Sequence, residues 1–343
     1  MLWADVLGRA TGLLHDVECL SGHSRANLSQ ETVAFWLYLD TAYPNAAFDS
    51  LDEEQIGALY VEFQQQPVGR TDRLPTYLEY AERDGWMHPS SVRILQLWET
   101  RLAELGVRDL GLREPRKTTA TLTETLQTLV DHGLCLDHRP WKGPVYLDVT
   151  SDGLPLRQLV SRDGQANYLA YALSDLVPLV GSYDELVLAC DRQSLPDYEF
   201  LKRVLVSLGA SVSLLSLGRV AENGSVRSSR HRGGEGLTAA SLSRQLLADF
   251  SPAAFRLGLR LYFIACLGQG DREPFRMDLL RRCTARAERL LDRTPTSAPW
   301  GLPALLYRHA HGHSYVNPYG LTASLLSREG PALHPGLLKC VFL

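Results

Sequence analysis

An α/β fold is what the sequence predicts: a Rossmann-like parallel sheet with a helical insertion and a helical C-terminal region. Two patterns carry this reading. The apolar run Leu186–Cys190, a helix over Tyr198–Leu208 and a second apolar run Val212–Leu217 succeed one another at βαβ spacing. A crossover of that kind is right-handed and gives a parallel pair of strands. By contrast, residues 29–107 and 237–292 repeat their apolar positions at helical spacing. The boundaries that result are 1–28 as part of the core, 29–115 as a helical insertion and 116–236 as the α/β core. Residues 237–295 then form a helical region, and 296–343 a Pro/Gly/His-rich segment that could complete the core.

Residues 1–14 have helical spacing, and Asp16–Ser21 reads as a short strand leading into Gly22-His23-Ser24. In the insertion, Ser29-x-x-Thr32 precedes the apolar run 33–39, and Val92–Leu105 is amphipathic with Trp98 on its apolar side. Thr119–Leu134 is a helix stopped at His132-Gly133, where glycine supplies the left-handed cap. Val145–Val149 and Leu156–Val160 are strands around the turn sequence Ser151-Asp152-Gly153, and Ala166–Leu179 is a helix. Gly209 closes the helix Tyr198–Leu208. Ligands of open α/β sheets sit beyond the carboxyl ends of the strands. Those ends are Asp191-Arg192-Gln193 and Gly218-Arg219-Val220, and a Gly-, Ser- and Arg-rich loop spans 221–236.

The 343 residues are 45% apolar and 22% charged, the make-up of an ordinary globular chain. With 35 basic and 39 acidic side chains the net charge is −4, so any contact with nucleic acid has to come from a local basic patch. The six cysteines form no Cys-x-x-Cys pair, which argues against zinc knuckles and thioredoxin-like chemistry. Their reduced, core-like setting at Cys190 and Cys266 suits the cytoplasm, and no segment reads as a signal peptide or membrane span. There is no Gly-x-x-x-x-Gly-Lys-Ser/Thr loop.

The order of motifs from 92 to 292 resembles the second half of a class I aminoacyl-tRNA synthetase core, of the methionyl and arginyl kind. Ser161-Arg162-Asp163-Gly164-Gln165-Ala166-Asn167-Tyr168, with Ala172-Leu173-Ser174-Asp175, is similar to the arginyl-enzyme stretch Ser-Asp-Gly-x-x-x-Tyr followed by Asp-Leu/Ile-Ala. Leu186–Gln193 looks like the strand ending Gly-x-Asp-Gln, with Ala189 or Cys190 where the family has glycine. Leu217-Gly218-Arg219-Val220 and Asn223-Gly224 resemble the approach to the Lys-Met-Ser-Lys-Ser loop, replaced here by Val226-Arg227-Ser228-Ser229-Arg230-His231-Arg232-Gly233. Phe255-Arg256-Leu257, Gly268-Gln269-Gly270-Asp271 and Phe275 look like a methionyl-enzyme run. Near the start, Ala4–Arg9 and then Asp16–His23 resemble the stretch just downstream of the family's His-x-Gly-His motif, which is itself absent there. Tyr315–Gly320 and Pro331–Leu337 look like a weak copy of the family's beginning, with Leu337 in place of the last histidine; a circular permutation or a surface tail would each explain it.

The resemblance implies attack of an amino-acid carboxylate on the α-phosphate of ATP, with Mg2+ as companion ion. Arg227, Arg230 and Arg232 would stabilise the charge that builds on the phosphates, since a guanidinium grips phosphate oxygens in a fork; the family uses lysine. Asp191, Gln193, Gly218, Ser228, Ser229, His334 and Gly336 would hold the nucleotide, and Asp163, Tyr168 and His23 the amino acid. The chain is short for a full anticodon-binding domain, so a specialised ligase that passes its amino acid to a small amine is expected before ordinary tRNA charging. A catalytically inactive paralogue acting as a binding or regulatory protein is the alternative, and an accidental likeness in a nucleotide-binding α/β protein is a third.

Blander readings stand beside these. His309-x-His311-x-His313 would share one face of a strand and could ligate zinc, but lies near no carboxylate or cysteine in sequence; loop histidines explain it as well. Asp163-Gly164 could be a turn, and Arg227–Arg232 a solvated or RNA-contacting loop. His132 and His138 read as capping or exposed residues, and Trp36, Trp86, Trp98 and Trp141 as packing residues rather than a stacking platform.

Overall fold

The computed structural model describes residues 1–20, 30–65, 77, 80–81, 86–108, 112, 120–218, 220–221, 239–269, 273–293, 301–310, 314–327 and 334–343. Helices dominate, with small sheets between them. The chain divides into two compact units: one of Met1–Leu20, Trp98–Leu110 and Leu217–Leu343, the other of Ser21–Leu97 and Gly111–Ser216. No helix among the described residues is long and apolar enough to cross a membrane.

The second unit opens with helices α2 (Gln30–Ala42) and α3 (Glu53–Gln65), and α4 (Pro89–Glu104) begins in it. Phe35, Leu39 and Phe48 are buried here, with the rings of Tyr60 and Phe63 against Phe35. Trp36 is fully buried, its indole N–H donating to Ser91 Oγ at 2.8 Å. Trp98, placed on the apolar side of its helix by sequence, is 38% exposed instead; Ser90, Ser91 and Leu95 are the buried positions of α4.

His88 closes this cluster. Its Nδ1 accepts the Ser90 backbone N–H (3.1 Å), so Nε2 carries the proton and faces Asp40 Oδ1 at 3.2 Å. Burial pushes the His88 pKa below its usual value, against the smaller opposing pull of Asp40. The unfolded chain therefore binds a proton below about pH 6.5 that the folded chain refuses. Stability should be full above that pH and fall as pH drops towards the depressed folded value. Urea unfolding at pH 7.5 and 5.5 checks this, and His88→Gln should flatten the dependence.

Next comes α5 (Leu122–Asp131), opened by a capping box between Thr121 and Glu124 and stopped at His132 and Gly133, whose φ of 69° is left-handed. Strands β1 (Cys135–Asp137), β2 (Val145–Leu147) and β3 (Arg157–Val160) form an antiparallel sheet. Between β2 and β3 the chain turns through Thr150–Asp152, with Gly153 left-handed at φ 79°. Helix α6 (Tyr168–Leu176) leads to β4 (Leu186–Asp191), α7 (Leu195–Ser207) and β5 (Val212–Leu217). β4 and β5 are hydrogen-bonded neighbours. Leu126, Leu129, Val145, Leu147, Leu159, Leu173 and Val204 bury their side chains in one core that α5, α6, α7 and the strands share.

The first unit holds α1 (Leu2–Thr11), the two-residue strands β6 (Val220–Ala221) and β7 (Glu273–Pro274), and helices α8 (Ala239–Leu247), α9 (Pro252–Gln269) and α10 (Met277–Asp292). β6 and β7 pair in parallel. α9 and α10 approach closely at Gly258, where a Cβ would lie 2.5 Å from Thr284 Oγ1 and 2.6 Å from Thr284 Cα. Helices α11 (Leu302–Tyr307) and α12 (Pro318–Leu326) come after them, and a short helical turn from Pro335 ends the chain.

One expectation stands in part and the next is corrected. The described residues hold an α/β arrangement of small separate sheets, one antiparallel and one a parallel pair, and a full Rossmann-like sheet is not shown among them. Asp16–Leu20 is irregular and mostly exposed, and pairs with no strand among the described residues; an extended segment outside a sheet gains little stability. His309 lies in the turn after α11, as a loop histidine would, and His311 and His313 fall outside the described residues. No group of three or more metal-binding side chains occurs among the described residues.

Candidate functional site

The predicted site residues that the structure draws together lie where β4 ends. Asp191 is the last residue of β4, and its Oδ1 accepts the backbone N–H of Gln193 (2.8 Å) and of Ser194 (3.0 Å). This shapes the turn that starts α7, where Pro196 suits the first helical turn. One oxygen of Asp191 is thus already engaged by the backbone, while Gln193 contributes its N–H and leaves its side chain exposed.

Tyr168 opens α6. The preceding Asn167 is the helix cap: its side chain accepts the Ala170 N–H at 3.0 Å, and its amide donates to Gln158 O at 2.5 Å, tying the helix start to β3. The Tyr168 hydroxyl then lies 3.3 Å from that of Tyr198, in the first part of α7. Burial raises the Tyr198 pKa, helped by Tyr168 and by the charges of Cys190 and Asp191, so its phenol keeps its proton. Burial, with Asp191 and Glu199, pushes the Cys190 thiol up to about 11, so it is no nucleophile near neutrality. Tyr198 is absent from the site residues that sequence alone singles out. The signal for it is its position: a tyrosine one helical turn into the helix after the β4 strand, matching Tyr168 at the start of α6.

Asp163 sits on an exposed tight turn, in which Gly164 takes a φ of 79° and Ser161 N–H donates to Gln165 O at 2.8 Å. Gly218, His334 and Gly336 belong to the other unit. The buried Gly218 donates its N–H to Leu267 O at 2.9 Å. His334 caps the C-terminal helical turn, Nδ1 accepting the Gly336 N–H at 3.0 Å, and a Cβ on Gly336 would come within 3.1 Å of the imidazole. His23, Arg227, Ser228, Ser229, Arg230 and Arg232 lie outside the described residues.

No family model matches the chain, and no curated protein matches it. Among solved structures, it is similar to a Campylobacter jejuni chain provisionally described as an arginyl-tRNA synthetase, with 13% identity and a TM-score of 0.47. The match covers 80% of this chain and 60% of that one. The chain therefore spans under two thirds of that protein's length, and a likeness this distant assigns neither fold nor activity.

Within the second unit, then, two phenols from the starts of α6 and α7 meet through their hydroxyls, and the Asp191 carboxylate at the end of β4 shapes the turn into α7. Such a cluster can donate and accept hydrogen bonds to a polar ligand, and it offers no activated nucleophile of its own.

Proposed function

We propose that the chain activates an amino acid with ATP. A carboxylate oxygen of the amino acid forms a bond to the α-phosphorus, the bond from that phosphorus to the bridging oxygen breaks, and pyrophosphate leaves with that electron pair. In this reading β4, α7 and β5 belong to a Rossmann-like nucleotide core, and the ligand lies beyond the end of β4. The observation that carries it is the contact between the Tyr168 and Tyr198 hydroxyls, the latter in the helix that the Asp191 turn opens, on a stretch whose motifs resemble those of class I synthetases in order. The phenols would bind and orient the substrate, and Asp191 would hold the turn. Arg227, Arg230 and Arg232, with Ser228 and Ser229, would meet the phosphates. Mg2+ would enter on the triphosphate, which supplies oxygen ligands itself, so no dedicated carboxylate cage is needed. The acceptor of the activated amino acid would be a small amine or a tRNA.

Calorimetric titration of Mg-ATP tests the placement. Tyr168→Phe and Tyr198→Phe each remove one hydroxyl, and each should weaken ATP or amino-acid binding by about 2- to 10-fold, the worth of one hydrogen bond. Binding unchanged in both variants would move the ligand away from β4.

A specific observation favours the second reading, an inactive paralogue that binds without catalysis. His334 Nδ1, in the weak copy of the triphosphate-binding motif, is engaged as a helix cap, and Ala189 or Cys190 stands where the family has glycine. That protein would bind ATP or an amino acid and release no pyrophosphate.

A further inference from the structure

Trp141 is the most exposed large apolar side chain among the described residues, at 77%. It does not sit on a loose loop. Residues 139–141 form a 3-10 turn between β1 and β2, with Pro140 in its first positions. Trp141 N–H donates to His138 O (3.0 Å), Gly143 N–H to the same oxygen (2.8 Å) and Lys142 N–H to Arg139 O (2.9 Å). Lys142 takes a left-handed φ of 57°, and a Cβ on Gly143 would strike His138 Cβ at 2.7 Å, so the backbone is closely determined. Asp137 clamps Arg139 through both carboxylate oxygens.

One ring adjoins the indole, and a second adjoins that ring in turn. The His138 imidazole lies 6.2 Å from the Trp141 ring and 6.1 Å from that of Tyr146. Tyr146 points to the outer face of the three-stranded sheet. Its neighbours Val145 and Leu147 are buried, and it pairs across the sheet with Leu136 on one side and Gln158 on the other, both exposed. The turn sequence from 138 to 143, His-Arg-Pro-Trp-Lys-Gly, carries basic groups and no acid, and the adjoining acid, Asp137, is taken by Arg139.

We propose that this face binds single-stranded nucleic acid, with a base stacked on Trp141 beside the His138 imidazole and an adjacent phosphate drawn to Lys142. The charge and ring chemistry favour this occupant. A rigid exposed indole beside an imidazole offers a π-face to any base, and the neighbouring Lys142 ammonium matches a phosphate. An acidic protein surface would meet the same ammonium but has no counterpart for the exposed indole face. With a net charge of −4, nucleic acid has to be met by a local basic patch of this kind. The proposal does not depend on amino-acid activation.

The test is fluorescence anisotropy of a labelled oligoadenylate of about 12 nucleotides, inside the usual single-strand site range, titrated with the full chain at low salt. RNA and DNA forms run in parallel. Binding of either form that weakens as salt rises, falls about tenfold or more in Trp141→Ala and is largely restored in Trp141→Phe is the expected result. Lys142→Glu should weaken it further and flatten the salt dependence. Circular dichroism should show both variants folded, since these side chains are exposed. Absence of binding by the wild-type chain overturns the proposal, as does binding that Trp141→Ala leaves unchanged. Retention of a protein rather than an oligonucleotide through Trp141 would also overturn it.

Discussion

Asp5→Ala is expected to destabilise the first unit by about 3–5 kcal/mol, the cost of breaking a buried ion pair from one side. Asp5 Oδ2 accepts from Arg260 Nη2 at 2.7 Å, and both side chains are fully buried. Its Oδ1 accepts from Arg9 Nε (2.9 Å) and from the Arg108 backbone N–H (3.1 Å). Arg260 also donates to Leu105 O (2.7 Å) and Gly106 O (2.9 Å), and Arg9 to Gly106 O (2.6 Å). One carboxylate thus gathers α1, the 105–108 segment and α9. Burial lowers the Arg260 pKa, and Asp5 is the main group opposing that shift, so its removal leaves a desolvated guanidinium with carbonyl partners alone. Urea unfolding at pH 7 measures the loss. The double variant Asp5→Leu with Arg260→Met should recover most of it, because a packed apolar pair carries no desolvation cost. A double variant as unstable as Asp5→Ala would mean that the carboxylate matters for something other than its charge.

The local elements of the second unit are legible in the sequence, and the reasons are visible in particular residues. Gly133 and Gly209 read as helix stops, and both have left-handed φ values, 69° and 99°. Leu186–Cys190 and Val212–Leu217 read as strands and are β4 and β5. Long-range pairing is less legible. β2 and β3 are legible as strands around their turn, but β1 is three residues long, too short for a period-2 pattern, so its place beside β2 leaves no trace in the sequence pattern. Asp16–Leu20 has strand-like residues but no strand beside it among the described residues, and strand partners are set by the fold rather than by the segment.

Individual side chains obey the same rule. All four tryptophans considered read as packing residues. Trp36 is one, whereas Trp141 is held outward by a turn whose hydrogen bonds no periodicity reveals. In the candidate site, Tyr168 and Asp191 are legible through motif order. Tyr198 is not, because the contact that brings it to Tyr168 crosses from one helix to the next, 30 positions along the chain.

The second large effect concerns Arg227, Arg230 and Arg232. If they meet the phosphates as the leaving pyrophosphate gathers charge, removing one guanidinium should act mainly on the rate. Preplaced donors to such a charge are worth about 100- to 1000-fold each. Arg230→Ala should therefore lower turnover by about that factor while ATP binding changes far less. Arg230→Lys should retain part of the rate, because lysine keeps the charge and gives up the fork.

Amino-acid-dependent exchange of labelled pyrophosphate into ATP, run across all twenty amino acids, tests the central claim most directly. The account predicts exchange that requires one amino acid and collapses in Arg230→Ala. No exchange with any amino acid, together with no heat of ATP binding, would contradict it.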